Sequence, residues 1–256
     1  MTDKAPEPPL RLDAYAFFFD LDGTLAEIQP TPEQVVVPPE VCNTLHSLFT
    51  GNDGALALIS GRPIAELDAL VAPLILPAAG IHGAERREIS GQRHETRLPA
   101  NIVDPLQDAL TAALAALPGC RLENKGASFA LHYRQAPDYK PEVTALAESL
   151  CERYPQLTVQ TGKCVVELKP RGANKGAAIK TFMESSPFAG RTPLFIGDDT
   201  TDEAGFRQVN ALGGISVKVG PGPSEARYRL ANVAAVHHWL TQQQAMYENK
   251  ISLVRS

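Results

Sequence analysis

Phe17-Phe18-Phe19-Asp20-Leu21-Asp22-Gly23-Thr24-Leu25 is the stretch that decides how the chain is read. Three consecutive phenylalanines preceded by Tyr15 form an apolar run of the kind found in strands buried on both faces. The run stops at a carboxylate, and a second carboxylate follows two positions on. In extended chain, residues i and i+2 point the same way, so Asp20 and Asp22 are expected on one side. Gly23 then lets the chain turn sharply. Two carboxylates so placed repel by about 4 kcal/mol at 4 Å and an effective dielectric near 20. A proton or a cation between them removes that cost. An ordinary strand-to-loop turn uses the same residue types. A calcium loop of the EF-hand kind does not fit, since Gly23 is fourth and Thr31 twelfth counting from Asp20, where that loop has glycine sixth and an acid twelfth.

Around this stretch, composition sets bounds. The 256 residues are 44% hydrophobic, enough for one large domain or two modest ones. A net charge of −5 without a basic tract argues against nucleic acid as a partner. Cys42, Cys120, Cys151 and Cys164 are scattered with no C-x-x-C pair, as in a reduced, cytoplasmic protein. Residues 1–13 carry acids and prolines without an apolar core, so they read as loosely attached chain and as neither a signal nor a transit peptide. Nothing has the length of a membrane span, so no membrane is expected.

Outward from the first strand the chain alternates. Gln29 to Pro39 is a Pro-rich loop, and Val41, Leu45 and Leu48 have helical spacing within Pro39–Thr50. Ala55–Ile59 reads as a buried strand ending at Ser60-Gly61-Arg62-Pro63. A helix to about Val71 and a short strand over Leu74–Leu76 follow. Such alternation predicts an α/β fold with a Rossmann-like parallel sheet, whose ligands gather beyond the carboxyl ends of the strands. After Pro77 the pattern changes. A hairpin over Ala79–Leu98 with Gly91 near its middle leads into a helix over Asn101–Leu117. Strands at Leu122–Lys125 and Ser128–Arg134 flank Gly126, a helix covers Tyr139–Arg153, and strands at Leu157–Thr161 and Lys163–Lys169 flank Gly162. We therefore place an inserted α+β domain at 98–172, between core segments 1–97 and 173–256. The second core segment has a helix over Asn174–Met183 capped by Asn174, and a strand over Leu194–Ile196 leading into Gly197-Asp198-Asp199-Thr200-Thr201-Asp202. A helix to about Val209, a strand over Ile215–Val219 and two short helices complete it, with a polar tail after Gln244.

Asp20/Asp22, Ser60, Lys175 and the Asp198/Asp199/Asp202 group all fall at one edge of this sheet. Alone, Ser60-Gly61-Arg62 is an ordinary turn and Lys175 a solvated lysine after a cap. Gly197-Asp198-Asp199 is harder to dismiss, because it gathers like charges with no structural gain. As a set, D-x-D-G-T, a Ser after the second strand, a Lys and G-D-D-x-x-D resemble the four motifs of the haloacid dehalogenase superfamily, in order and spacing. That resemblance implies a phosphatase in which Asp20 is the nucleophile, Asp22 the proton donor and then base, and Ser60 and Lys175 the holders of the phosphoryl oxygens. It further implies a Mg²⁺ site from Asp20, the Asp22 carbonyl and Asp198, with Asp199 and Asp202 as alternative ligands or supporting groups. Thr24 would fix the Asp20 loop.

Three further stretches are similar to the trehalose-6-phosphate phosphatases of that superfamily: Gly80-Ile81-His82-Gly83-Ala84-Glu85, Lys125 through Arg134, and Gly162 through Arg171. One departure is Asn174, where many relatives have Ser or Thr; all three cap helices. The resemblance implies trehalose 6-phosphate as substrate, a cap domain that opens and closes over it, and a functional link to the synthase that makes it. Gly61, Arg62, His82 and Gly83 are further candidate substrate contacts. Strand alternation in the inserted domain puts Leu122, Phe129, Leu131, Tyr133, Val166 and Leu168 on the face toward its helices. Glu123, Lys125, Ser128, His132, Arg134, Glu167 and Lys169 then share the other face, and Glu123, Lys125 and Glu167 are the best sugar contacts. The competing readings are a phosphatase for another sugar such as sucrose or glucose phosphate, a phosphomutase, and a sugar-phosphate-binding regulator without turnover. An intact nucleophile argues against the last.

Overall fold

The computed structural model describes residues 6–9, 15–162 and 164–255, apart from the side chains of 247–255. In chain order the elements are β1 (Tyr15–Phe19), α1 (Pro39–Gly51), β2 (Leu56–Ile59), α2 (Ile64–Leu70), β3 (Ala78–Gly80), β4 (Glu85–Arg87) and β5 (Arg93–Glu95). Then come α3 (Ala100–Leu114), β6 (Arg121–Asn124), β7 (Phe129–His132), α4 (Lys140–Arg153), β8 (Leu157–Gly162) and β9 (Val165–Pro170). The chain ends with α5 (Lys175–Met183), β10 (Thr192–Gly197), α6 (Glu203–Ala211), β11 (Ile215–Val219), β12 (Tyr228–Leu230) and α7 (Val233–Arg255). It divides into two compact units, one made of Met1–Arg93 with Asn174–Ser256 and the other of His94–Ala173.

The first unit is built on a sheet of order β12-β11-β10-β1-β2-β3-β4-β5. Pairing is parallel from β12 through β3 and antiparallel from β3 to β4. The α/β fold expected from the alternation is what forms. β1 explains its own composition: Tyr15, Phe17 and Phe19 enter a core with Leu45, Leu48 and Leu67, while Ala16 and Phe18 enter a second core with Phe182, Phe188, Phe195 and Phe206. Every residue of β1 is buried, which is why it shows no polar alternation. The Phe18 ring stacks on Phe188 with centroids 5.4 Å apart. Burying one such side chain contributes roughly 1.5–3 kcal/mol, so β1 is the anchor of both cores.

Three local expectations differ from the structure. Leu74–Leu76 is not a strand; Ile75 is 64% exposed, and the sheet position belongs to Ala78–Gly80. Three apolar residues carry no period, and β3 ends at Gly80, where a Cβ would stand 2.8 Å from the Arg62 carbonyl that accepts from Ile81 N at 3.0 Å. The hairpin around Gly91 is accordingly shorter than Ala79–Leu98, limited to β4 and β5. After β11 the chain makes one more strand and one long helix rather than two short helices. The Arg229 guanidinium bonds the carbonyls of Gly220 and Gly222 and closes the turn, and the polar residues after Gln244 are mostly good helix formers. Within the N-terminal stretch expected to be loose, 6–9 is held: the carbonyls of Pro6, Pro8 and Pro9 accept from Arg229 N, Trp239 Nε1 and the Tyr15 hydroxyl. The rest of 1–13, and Lys163, lie outside the described residues.

The second unit is an antiparallel sheet of order β6-β7-β9-β8. Phe129, Leu131, Tyr133, Val166 and Leu168 form one core with Leu106, Leu110 and Leu114 of α3 and Val143, Ala147 and Leu150 of α4, with Leu122 packed against it. The register puts Leu122, Leu131 and Val166 in one row across three strands, and Glu123, Ala130, Glu167 and Gln160 in the next. The expected segregation of faces is therefore present.

Candidate active site

β1 lies between β2, its successor in sequence, and β10, which follows the inserted segment, so the sheet changes direction of winding at β1. Parallel pairing brings the carboxyl ends of all three to one edge. Asp20 is one residue past Phe19, Asp198 one past Gly197, and Ser60 one past Ile59. Asp20 N donates to Ile196 O at 3.0 Å, which fixes the backbone where β1 ends. Lys175 is the first residue of α5, whose amide at Ala177 donates to Asn174 Oδ1 at 2.9 Å, so the expected cap is formed.

The Lys175 ammonium, 2% exposed, donates to Asp20 Oδ1 at 2.7 Å and to Asp202 Oδ1 at 2.6 Å. Carboxylate oxygens of Asp20, Asp198 and Asp202 all lie within 4.8 Å of one another. Burial raises the Asp20 pKa well above the usual carboxylate range; Lys175 opposes the shift, and Asp202 and Asp198 add to it. Asp198 is pushed up to about 7, first by burial and then by the charges of Asp202 and Asp199. Burial works against the charge on Lys175, but Asp20 and Asp202 outweigh it and raise its pKa. Three carboxylates around one ammonium leave a negative excess, and this cluster is where a metal ion could be held. Gly23, at φ 77, is part of the fit: a Cβ there would stand 2.1 Å from Asp198 Oδ2.

The three acids after β10 do different things. Asp202 is fully buried, and its Oδ2 accepts from the amides of Asp198 at 3.0 Å and Asp199 at 2.9 Å. With Oδ1 on Lys175, both of its oxygens are engaged. Asp199 turns to cap the short turn Thr200–Asp202, accepting from Thr200 N at 2.7 Å, and is not in the carboxylate cluster. The Asp198 carboxylate accepts no hydrogen bond from the described residues.

Asp22 stands in a turn rather than in extended strand. Beyond Asp20 the chain is a turn, with the amides of Thr24, Leu25 and Ala26 all donating to Leu21 O, so the alternation of an extended strand no longer applies. The charge that answers Asp22 is Arg62, whose Nε and Nη2 meet Oδ2 and Oδ1 at 2.7 and 2.8 Å. Thr24 is buried, and its hydroxyl has no hydrogen-bond partner among the described residues. Those amide bonds fix the loop. Ser60 Oγ accepts from Arg62 N at 3.2 Å. His82 is buried with its ring over Gly61, and Gly83 packs against the start of α5.

In the second unit, Glu167 is 3% exposed and accepts from Ser128 Oγ at 2.9 Å, with Lys125 Nζ 3.1 Å away. Glu123 pairs with His132 at 2.7 Å, and that hydrogen bond lowers the Glu123 pKa. Lys169 donates to Gln160. Arg134 is exposed. Ala130, fully buried, is the residue between Glu123 and Glu167 in their row.

A sequence model described as trehalose-phosphatase matches residues 18–234. The chain belongs to the trehalose-phosphatase family. It is 54% identical over 240 residues to the trehalose-6-phosphate phosphatase of Escherichia coli strain K12, covering 94% of this chain and 90% of that protein. The C-terminal domain of a C. albicans trehalose-6-phosphate phosphatase has the same fold, with a TM-score of 0.79 over 91% of this chain and 92% of that one at 22% identity. A haloacid dehalogenase-like hydrolase from Bacteroides thetaiotaomicron aligns at a TM-score of 0.65 and 17% identity, over 90% and 98% of the two chains. As a member of this family the chain is a phosphoric monoester hydrolase with the haloacid dehalogenase fold. No helix among its described residues is long and apolar enough to cross a membrane.

Two residues at this trehalose-phosphatase's site had no signal in the sequence. Lys218, on β11, sends its ammonium to the carbonyls of Asp198 and Val219, and its charge partly offsets the acids nearby. His237 Nε2 lies 2.8 Å from Leu25 O and braces the loop after Asp20 from α7. Lys218 alternates with Ser216 along β11 and His237 stands beside His238 on α7, and only the folded sheet shows what they face.

Proposed function

We propose that the protein hydrolyses trehalose 6-phosphate to trehalose and phosphate, with Mg²⁺, through a phosphorylated Asp20. The observation that carries this reading is the Asp20 carboxylate at the end of the central strand, held by Lys175 through one oxygen and flanked by Asp198. The other oxygen of Asp20 attacks phosphorus, and the bond to the sugar oxygen breaks. Asp22 gives that oxygen its proton, then takes a proton from the water that attacks the phosphorylated Asp20 and restores it. Lys175 has three donors, and with two on carboxylates the third is available to a phosphoryl oxygen. Ser60 Oγ accepts from Arg62 and retains its own O–H for the same purpose. The metal ligands are Asp20, Asp198 and the carbonyl of Asp22, an all-oxygen set suited to a hard cation. Mg²⁺ bound there supplies positive charge that lets an anionic nucleophile meet an anionic substrate. Asp202 and Asp199 act behind these groups rather than as ligands.

Glu123, Lys125 and Glu167 read the sugar, offering both donors and acceptors to its hydroxyls. The substrate implies a synthase that supplies it, and four free cysteines suit a reducing cytoplasm. The deciding measurement is phosphate release from trehalose 6-phosphate, sucrose phosphate, glucose 6-phosphate and an aryl phosphate, each with Mg²⁺ and with chelator. Release from trehalose 6-phosphate with at least tenfold higher kcat/KM than from the other sugars, and dependent on Mg²⁺, is expected. A flat profile would reject the substrate, and activity unaffected by chelator would reject the metal.

A further inference from the structure

The Ser60-Gly61-Arg62 turn is held by an unusual piece of backbone. Ile81, His82 and Gly83 are all left-handed, with φ of 47, 53 and 99. For a β-branched residue such as Ile81 this region is strained. The conformation aims two successive amides at the turn: Ile81 N donates to Arg62 O at 3.0 Å and His82 N to Ser60 O at 2.9 Å. Glu85 Oε2 accepts from Ile64 N at 2.9 Å and anchors the first turn of α2 directly after Arg62-Pro63. With its own N–H on Ser60 Oγ, Arg62 has both backbone polar groups fixed before its side chain begins.

That side chain is 11% exposed, with four of its five N–H groups engaged. Besides its two bonds to Asp22, Nη1 meets Glu66 Oε2 at 3.1 Å and Nη2 meets Pro32 O at 3.2 Å. Asp22, by contrast, stands in a turn, with 36% of its side chain exposed, and among the described residues its carboxylate is held by Arg62 alone. A forked pair fixes the plane of a carboxylate as well as its position. Each Asp22 oxygen keeps a lone pair on its outer side for a proton shared with a leaving oxygen or a water. A group that moves a proton must lie within hydrogen-bond reach of the atom it serves, and a misplacement of about 1 Å can cost about 100-fold.

We propose that Arg62 is the positioning residue that aims the Asp22 carboxyl at the leaving oxygen. This differs from the substrate contact expected of Arg62 from sequence. It rests on the reading of Asp22 as proton donor, and leaving-group chemistry separates the two. A sugar alkoxide needs a proton to depart; p-nitrophenolate does not. Arg62→Lys keeps the charge and loses the fork. We expect it to lower kcat/KM for trehalose 6-phosphate by at least tenfold and for p-nitrophenyl phosphate by less than threefold. Asp22→Ala is expected to show the same selectivity in kcat/KM, which covers only the steps up to departure of the leaving group, while its kcat falls on both substrates for want of the base. Arg62→Lys added to Asp22→Ala should cost nothing more in kcat/KM. Near-normal kcat/KM for p-nitrophenyl phosphate also reports a folded site. If Asp22→Ala is selective but Arg62→Lys slows both substrates equally, or adds to Asp22→Ala, Arg62 touches substrate or supports the fold and the proposal fails. If Asp22→Ala is itself unselective, the role of Asp22 falls, and this inference with it.

Discussion

Lys175 Nζ lies 2.6 Å from Asp202 Oδ1, and this contact divides the acidic group by role. Asp202 has both oxygens engaged and is fully buried, whereas Asp198 presses against Gly23 with its carboxylate unclaimed. Removing one partner of a buried ion pair costs about 3–5 kcal/mol. Asp202→Ala is therefore expected to lower the thermal midpoint of the metal-free protein markedly. Asp198→Ala should leave it unchanged or higher, because it relieves like-charge repulsion, and should raise the Mg²⁺ concentration needed for half-maximal activity. Melting curves in chelator and Mg²⁺ titrations of both variants check this; the reverse order would exchange the two roles.

The Asp198 pKa of about 7 gives stability a sign with pH. A carboxyl whose folded pKa is raised contributes fully below its unfolded value near 4 and loses that contribution as pH rises toward 7. Metal-free protein should therefore lose more stability between pH 5 and pH 8 than Asp198→Asn does. Added Mg²⁺ should raise the wild-type midpoint more at pH 8 than at pH 5. Parallel pH curves for the two proteins would contradict the shift.

Asp20→Asn should abolish turnover and spare the fold. The amide is nearly isosteric and can still accept from Lys175, but it is a poor nucleophile. Its thermal midpoint should not fall, since the substitution removes one of the crowded negative charges. A variant that keeps more than a few per cent of wild-type kcat would take the nucleophile role from Asp20.

Sugar specificity should respond to the second unit alone. Hydrogen bonds to charged groups are worth about 1.5–3 kcal/mol, or about 10- to 150-fold in kcat/KM. Glu123→Ala, Lys125→Ala and Glu167→Gln should each lose that much on trehalose 6-phosphate and little on p-nitrophenyl phosphate. Glutamine is used at 167 because it keeps an acceptor for the Ser128 hydroxyl, which alanine would remove. Equal losses on both substrates would assign these residues to folding.

The Asp20 strand, the strand–helix alternation and the acids and lysine that gather at its end were legible in the chain, because each rests on local rules. A strand buried on two faces must be continuously apolar, as β1 is, and strands alternate faces, which put Glu123 and Glu167 in one row. Asn174 capped its helix because an amide oxygen three residues before a free N–H has little else to do. What only the tertiary structure decided are the pairings between residues far apart in sequence. Arg62 takes Asp22 from 40 positions away, Lys175 chooses Asp202 as well as Asp20, Lys218 reaches the Asp198 carbonyl, and His237 braces Leu25 from 212 positions away. A charge in sequence states only that it needs a partner. Which partner it finds depends on where the turns after β1, β2 and β10 place it, and three-residue elements such as β3 and β12 are too short for any period to announce them.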